Sequence, residues 1–288
     1  MELRDWLSEF RVREQLPKGF EDLAMGVCEP VVDMVLARRR RCGFLVGICG
    51  AQGSGKSTLS TVLAEILRRR GLHVAVLSLD DLYLTHDARR QLGRSVHRLL
   101  VTRGVPGTHD AQLGGSLLEA LGRSGDVAVP KFDKSKDDRL PESQWSRFEG
   151  PADVIVLEGW CVGARPQAPA ALIAPVNALE RDEDPEAIWR TYANDALAGP
   201  YRALFDPLDM LVLLQAPSFE VVLDWRLEQE RKLRLRLIAQ GADLGRTMSD
   251  EAVARFIAHY ERITRWILAE MPGRADMVFR LSPERLLV

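Results

Sequence analysis

Between Phe44 and Ser60 the sequence reads FLVGICGAQGSGKSTLS: an apolar run stops in a glycine-rich turn and a helix-forming stretch begins at once. An apolar run bounded this way suits a strand buried on both faces, and a strand feeding a helix through glycines is the start of a βαβ unit with a parallel sheet. Gly50, Gly55, Lys56 and Ser57 satisfy the spacing G-x-x-x-x-G-K-[ST], and Gly53 adds a third position where backbone amides can approach a ligand without a Cβ in the way. The helix that follows leaves N–H groups unpaired and turns its positive dipole end to the same point. The expected ligand is a triphosphate, cradled by Gly50, Ala51, Gln52, Gly53, Ser54, Gly55, Lys56, Ser57 and Thr58. Lys56 would reach the β- and γ-phosphates, and Ser57 would give its hydroxyl to Mg2+.

Four further apolar runs, Val74–Leu79, Val154–Leu157, Met210–Gln215 and Met277–Leu281, read as strands of the same sheet. Helical spacing covers the segments near 56–70, 113–121, 185–197 and 219–238, and Ser249 can cap another helix through Ala269. Residues 86–103 look helix-like, 127–132 read as a short strand, and Gly241–Gly245 should break the preceding helix. An N-terminal helical layer spans about 1–41. The expectation is an α/β protein of P-loop NTPase type, three layers α/β/α around a mostly parallel five-stranded sheet, with 1–288 as one domain.

The charge balance, 39 Lys plus Arg against 41 Asp plus Glu for a net of -2, offers no basic excess for a nucleic-acid backbone, so nucleic acid is not expected as a partner. The arginine runs at Arg38–Arg41 and Arg68–Arg70 sit where helices should end, which suits cations. Cys28, Cys42, Cys49 and Cys161 form no C-x-x-C pair and have no nearby His at metal-ligand spacing, so neither zinc nor a disulfide framework is expected. The start of the chain is acidic and amphipathic, and no apolar run approaches membrane-spanning length. A cytoplasmic protein without a membrane partner is expected.

Asp80 and Asp81 lie at the carboxyl end of the second strand, where open parallel sheets present ligand-binding residues. Asp81 is assigned to capping and Asp80 to the nucleotide side. Glu158 ends the Val154–Leu157 run, the position of a carboxylate that orients the Mg2+ shell after a phosphate loop. In RGVPGTHD, Pro106 and Gly107 make a tight turn that can bring Arg103, His109 and Asp110 to one small site.

Together the strings GAQGSGKST, SLDDLYLT, RGVPGTHD, VPKFDKSKDDR, VLEGWCVGARP, WRLEQERKLR and MSDEAVARFIAHY, in that order, resemble the D-glycerate 3-kinase family, a branch of the P-loop kinases that includes uridine kinase, phosphoribulokinase and bacterial pantothenate kinase. The resemblance implies ATP with Mg2+ and transfer of the γ-phosphoryl to a hydroxyl of a small hydroxy acid. It aligns Asp80 with the base of uridine kinase-like relatives and Arg226 and Arg234 with their lid. Lys56, Asp80, Glu158, Arg226 and Arg234 are then the expected catalytic set, with Ser57 and Glu158 serving the metal. A carboxylate on the acceptor would be read by cations, assigned to Arg103, His109, Lys134 and Arg139, with Asp110 left to hold a hydroxyl or orient His109. One departure bears on the acceptor: plant and fungal members carry a longer, glycine-containing stretch where this chain has only Lys136 and Asp137. The alternatives are a uridine- or pantothenate-kinase-like acceptor, and a regulatory P-loop ATPase; no N-K-x-D string supports a guanine switch. Monomer and homodimer both stay open.

Overall fold

Two helices, α1 (Leu3–Arg13) and α2 (Phe20–Arg38), precede strand β1 (Phe44–Gly50) in the computed structural model, which describes residues 2–239, 241 and 247–288. There follow α3 (Lys56–Arg69), β2 (Val74–Ser78), a 3-10 turn at Leu79–Leu82, α4 (His86–Ser95), α5 (Ala111–Leu121), β3 (Gly125–Val129), β4 (Phe132–Asp133), β5 (Asp138–Arg139), β6 (Ser146–Gly150) and β7 (Val154–Gly159). The last part of the chain gives α6 (Ala178–Glu183), α7 (Ile188–Ala198), α8 (Pro200–Phe205), β8 (Met210–Gln215), α9 (Phe219–Ala239), α10 (Asp250–Ala258), α11 (Glu261–Glu270) and β9 (Met277–Arg280).

Among the described residues the main sheet has five strands in the order β2-β7-β1-β8-β9, all parallel. β1 is central and buried along its whole length, as the apolar run requires. Side chains alternate between two cores. Leu45, Leu77, Ile155, Leu157 and Leu213 face α5, α7, α8, α10 and α11. Val46, Ile48, Val156, Val212 and Leu214 face α2, α3 and the start of α9. The α/β/α layering expected from the sequence is therefore present.

Several boundaries differ from the sequence reading, each for a local reason. The 127–132 run is split: 127–129 pair antiparallel with β6 outside the main sheet, and Phe132 pairs with Arg139 in the β4–β5 hairpin. The helix at 86 ends at Ser95, and a 3-10 turn at Arg98–Val101 follows. Ser249 does cap, accepting from Ala252 N at 3.1 Å, but the helix breaks after Ala258 and resumes at Glu261. Asp81 caps no helix: Oδ1 accepts from Phe132 N and Oδ2 from Lys131 Nζ, both at 3.0 Å, while Thr85 caps α4. Of the expected break at 241–245, Gly241 has φ 63 and residues 242–246 lie outside the described residues. Arg38, Arg39 and Arg41 do more than face helix dipoles: they pair with Asp276, Asp153 and Asp209, carboxylates that also accept strand-edge N–H groups from Leu211, His73 and Leu45. No helix among the described residues is long and apolar enough to cross a membrane.

Candidate active site

The phosphate loop, Gly50 to Gly55, joins β1 to α3 at the carboxyl edge of the sheet. Its glycines are required by geometry. A Cβ on Gly50 would meet Ser54 Oγ at 2.7 Å, and one on Gly53 would meet Trp225 Cβ at 2.7 Å; Gly53 and Gly55 have φ +79 and +86, which L side chains rarely adopt. Gly55 is the N-cap of α3, so Lys56 and Ser57 occupy its first turn, where free N–H groups gather. The hydroxyl of Ser57 donates to Glu158 Oε1 at 2.9 Å. Glu158 ends β7 beside β1, is buried, and its Oε2 has no partner; Gln52 Oε1 and Ser54 Oγ are likewise buried and unpartnered. A hydroxyl beside a carboxylate with a free oxygen suits a hard cation such as Mg2+, which takes one or two carboxylates and completes its shell with water and phosphate. No cluster of three His, Cys, Asp or Glu able to hold a metal occurs among the described residues.

Across from Lys56, Asp80 stands in the 3-10 turn that ends β2, with Lys134 Nζ 2.6 Å from its Oδ2. Burial pushes the Asp80 carboxyl up, but the charges of Lys134 and then Lys56, with the Lys134 hydrogen bond, win and hold it at about 2. Lys134 comes from the four-residue turn of the β4–β5 hairpin. The shortened stretch noted in the sequence closes that turn with Asp137 at φ 55, and its carboxylate pairs with both Arg103 and the fully buried Arg89.

The cationic pocket expected from the sequence is only partly assembled. Arg103 is paired with Asp137 and lies over the Phe132 ring. Arg139 spends its guanidinium on the Leu82 and Tyr83 carbonyls and on Asp110. His109 is not a cation: burial drives its pKa down to about 3 against the opposing pull of Asp80. Its ring stacks on Tyr83 with centroids 4.2 Å apart, and its Nδ1 lies 2.5 Å from the Tyr201 hydroxyl. Gly107 N and His109 N also donate to that hydroxyl oxygen, so its own proton is left for Nδ1 and the neutral ring carries its hydrogen on Nε2, an atom that is buried and unpartnered. Asp110 does not orient His109, and each of its oxygens already accepts one hydrogen bond. It caps α5, accepting from Leu113 N at 3.0 Å, and holds Arg139. The signal was present in the sequence, since the residue before a helix start is a favoured place for Asp.

Arg226 and Arg234 both lie on α9. Arg226 pairs with Glu230 at 2.8 Å, and Arg234 donates to Met248 O at 2.7 Å with Asp250 at 3.8 Å, tying α9 to the start of α10. Sequence reasoning missed Tyr83 and Tyr260, whose phenols burial and then the nearby Asp80 charge push above the ordinary range. Both tyrosines lie within strings that the resemblance had picked out, which was the available signal. It also missed Trp225 and Arg285. Trp225 packs on Gly53, and Arg285 Nε donates to Gly53 O at 2.7 Å; no motif near the C-terminal end points to such a contact.

Residues 45–164 match the model of the phosphoribulokinase / uridine kinase family. A kinase from Schizosaccharomyces pombe, described as the uncharacterized kinase mug58, is 36% identical over 227 residues, 75% of this chain and 78% of that one. The chloroplastic D-glycerate 3-kinase of Arabidopsis thaliana is 31% identical over 258 residues; the match takes in 85% of this chain and 51% of the plant protein, so the chain spans about half of that relative. Among solved structures, a D-glycerate 3-kinase from Cryptococcus neoformans superposes with a TM-score of 0.71 at 26% identity, covering 94% of this chain and 98% of the other.

Proposed function

Since the chain belongs to the phosphoribulokinase / uridine kinase family of P-loop kinases, we propose that it transfers the γ-phosphoryl group of ATP to a hydroxyl of D-glycerate, giving 3-phosphoglycerate and ADP. The observation that carries the reading is the Asp80–Lys134 pair, set at the sheet edge within electrostatic reach of the phosphate-loop Lys56. Phosphoryl transfer needs little covalent chemistry from the protein; it needs charge compensation and an acceptor hydroxyl that can lose its proton. Lys56 and the amides at the start of α3 compensate charge on the phosphates. Mg2+, when bound through Ser57 and Glu158, would neutralise charge on the β- and γ-phosphates. Asp80 accepts the hydroxyl proton as the oxygen attacks phosphorus and the bond to ADP breaks.

Lys134 gives the reading its selectivity. Paired with it, Asp80 is too acidic to be an effective base. An acceptor carboxylate that draws the Lys134 ammonium away removes the strongest opposing pull and lets burial raise the carboxyl, so an acidic acceptor switches on its own base. The D-glycerate 3-kinase relatives agree with such an acceptor. The Arg103–Asp137 pair favours a second reading, a neutral acceptor such as a nucleoside, because it leaves that guanidinium already satisfied. A panel of D-glycerate, L-glycerate, glycerol, uridine and pantothenate, followed by ADP release and by phosphorus NMR of the product, separates the two. D-glycerate should lead with phosphate on its 3-hydroxyl, and equal turnover of glycerol or uridine would overturn the acidic-acceptor reading.

A further inference from the structure

The phosphate loop is gripped from outside by residues more than 150 positions away. Arg285 Nε donates to the carbonyl of Gly53 at 2.7 Å. The same guanidinium lies 5.1 Å from the centre of the Trp225 ring and reaches Glu228 at 2.8 Å. Trp225 is itself fixed, its indole N–H donating to Pro283 O at 2.6 Å, and it fills the space that a Cβ on Gly53 would need. The turn holding Arg285 is built around Ser282, which accepts from Arg285 N through its carbonyl at 2.9 Å and from Leu286 N and Glu284 N through its hydroxyl at 3.2 Å.

We propose that this turn is a strap holding the phosphate loop in its ligand-ready shape, with Arg285 as the positioning residue that fixes the Gly53 peptide. The proposal rests on the reading that the loop binds the triphosphate of ATP. A loop with three glycines has many conformations, and any that must be frozen when the ligand arrives subtract from affinity. A charge-assisted hydrogen bond to the one loop carbonyl beside the left-handed Gly53, backed by an indole wall, freezes that peptide beforehand. Arg285 holds φ 65, a region uncommon for a long side chain, and such departures persist where the surroundings enforce them. Packing alone would call for neither that backbone nor a bond to Gly53. Because Trp225 and Glu228 belong to α9, the strap also joins the loop to the helix that carries Arg226 and Arg234.

The test compares wild type, Arg285→Ala, Arg285→Lys and Glu228→Gln by calorimetric titration with MgATP, with melting curves recorded without nucleotide and with the acceptor KM. Arg285→Ala should weaken ATP binding about tenfold, the size of one charge-assisted hydrogen bond, and leave the acceptor KM unchanged. Arg285→Lys, which keeps the charge and loses the planar fork, should recover only part. Added guanidinium ion should restore part of the affinity to the alanine variant and none to wild type. An ATP Kd within about twofold of wild type in a folded Arg285→Ala or Arg285→Lys variant, or a loss confined to melting temperature, would overturn the proposal. Should the alanine variant fail to fold, the lysine and Glu228→Gln variants decide. Failure of the wild type to bind ATP would instead strike the nucleotide-site reading itself.

Discussion

Replacing Lys134 by Met removes the ammonium 2.6 Å from Asp80 Oδ2 and leaves a side chain of similar length. In the intact site burial pushes the Asp80 carboxyl up while Lys134, then Lys56, pull it down harder, to about 2 against an ordinary 3.8. That fall corresponds to roughly 2.5 kcal/mol at 1.36 kcal/mol per tenfold. Lys134 is 62% exposed, so screening by solvent leaves about 1 kcal/mol or less for the pair itself. The sign follows from a carboxyl whose folded value lies below its unfolded one: the stability is present above about pH 4 and is lost as pH falls toward about 2. Lys134→Met should therefore melt lower than wild type at pH 7, and the two melting curves should converge as pH is taken down through 4. With the largest downward pull gone, burial acts on Asp80 opposed mainly by Lys56. An acid limb in kcat/KM, absent from wild type above pH 4, should then appear in the variant between about pH 4 and 6. Differential scanning fluorimetry across pH 2–8 and a coupled ADP-release assay across pH 3.5–8 measure the two effects. A destabilisation constant across that range, together with an unchanged pH profile, would refute the coupling of Asp80 to Lys134.

Lys56→Ala and Ser57→Ala should each abolish transfer in a folded protein, since they remove phosphate charge compensation and the hydroxyl beside Glu158; full activity in Lys56→Ala, checked against its circular dichroism, ends the phosphate-loop assignment. Asp80→Asn keeps the shape and removes the basicity, so kcat should fall on the order of 10² or more while ATP still binds; a nearly unchanged kcat with weakened Mg2+ binding would reverse the roles of Asp80 and Glu158. Asp137→Asn frees Arg103 and should lower the KM for D-glycerate if that guanidinium reads the acceptor carboxylate, whereas Arg103→Lys should raise it with the KM for ATP unmoved; opposite signs in steady-state kinetics would place acceptor recognition elsewhere.

The sheet was legible because its signal is local and redundant. Each of Phe44–Gly50, Val154–Gly159 and Met210–Gln215 is a short apolar run of the length and pattern of a strand covered on both faces. The phosphate loop was legible for a related reason: Gly53 and Gly55 must take positive φ, and a required glycine leaves a fixed spacing in the sequence. Glu158 and Asp80 could be placed because a strand end fixes which edge of the sheet a residue occupies. The strap was invisible, since the contact of Arg285 with Gly53 depends on where β9 returns the chain and leaves no pattern in either segment. The helix break at Ala258 was missed where no Pro or Gly marks it, and the one at Ser95 although Gly93 lies in the last turn of α4.

The expected cationic pocket differs from the structure for another reason, and the difference bears on the proposed acceptor. The sequence inventory counted Arg103, His109, Lys134 and Arg139 as available cations, but availability is decided by pairing, and burial forces pairing. His109, 4% exposed, stays neutral because charging it there is too costly. Arg139, with 13% of its side chain exposed, satisfies its fork on backbone carbonyls, and Arg103, at 21%, is held by Asp137. Lys134, at 62%, is the one of the four on a surface turn with a long free stem, so exchanging Asp80 for a ligand carboxylate costs it little desolvation and no buried contact. An ammonium that can leave its partner discriminates between acceptors, while a guanidinium locked on main-chain oxygens only shapes the wall around them. Acceptor choice in this chain should therefore follow changes in the Lys134–Asp137 turn more closely than changes in the buried RGVPGTHD segment, and exchanging that turn for one of another length should alter the acceptor KM before it alters the KM for ATP.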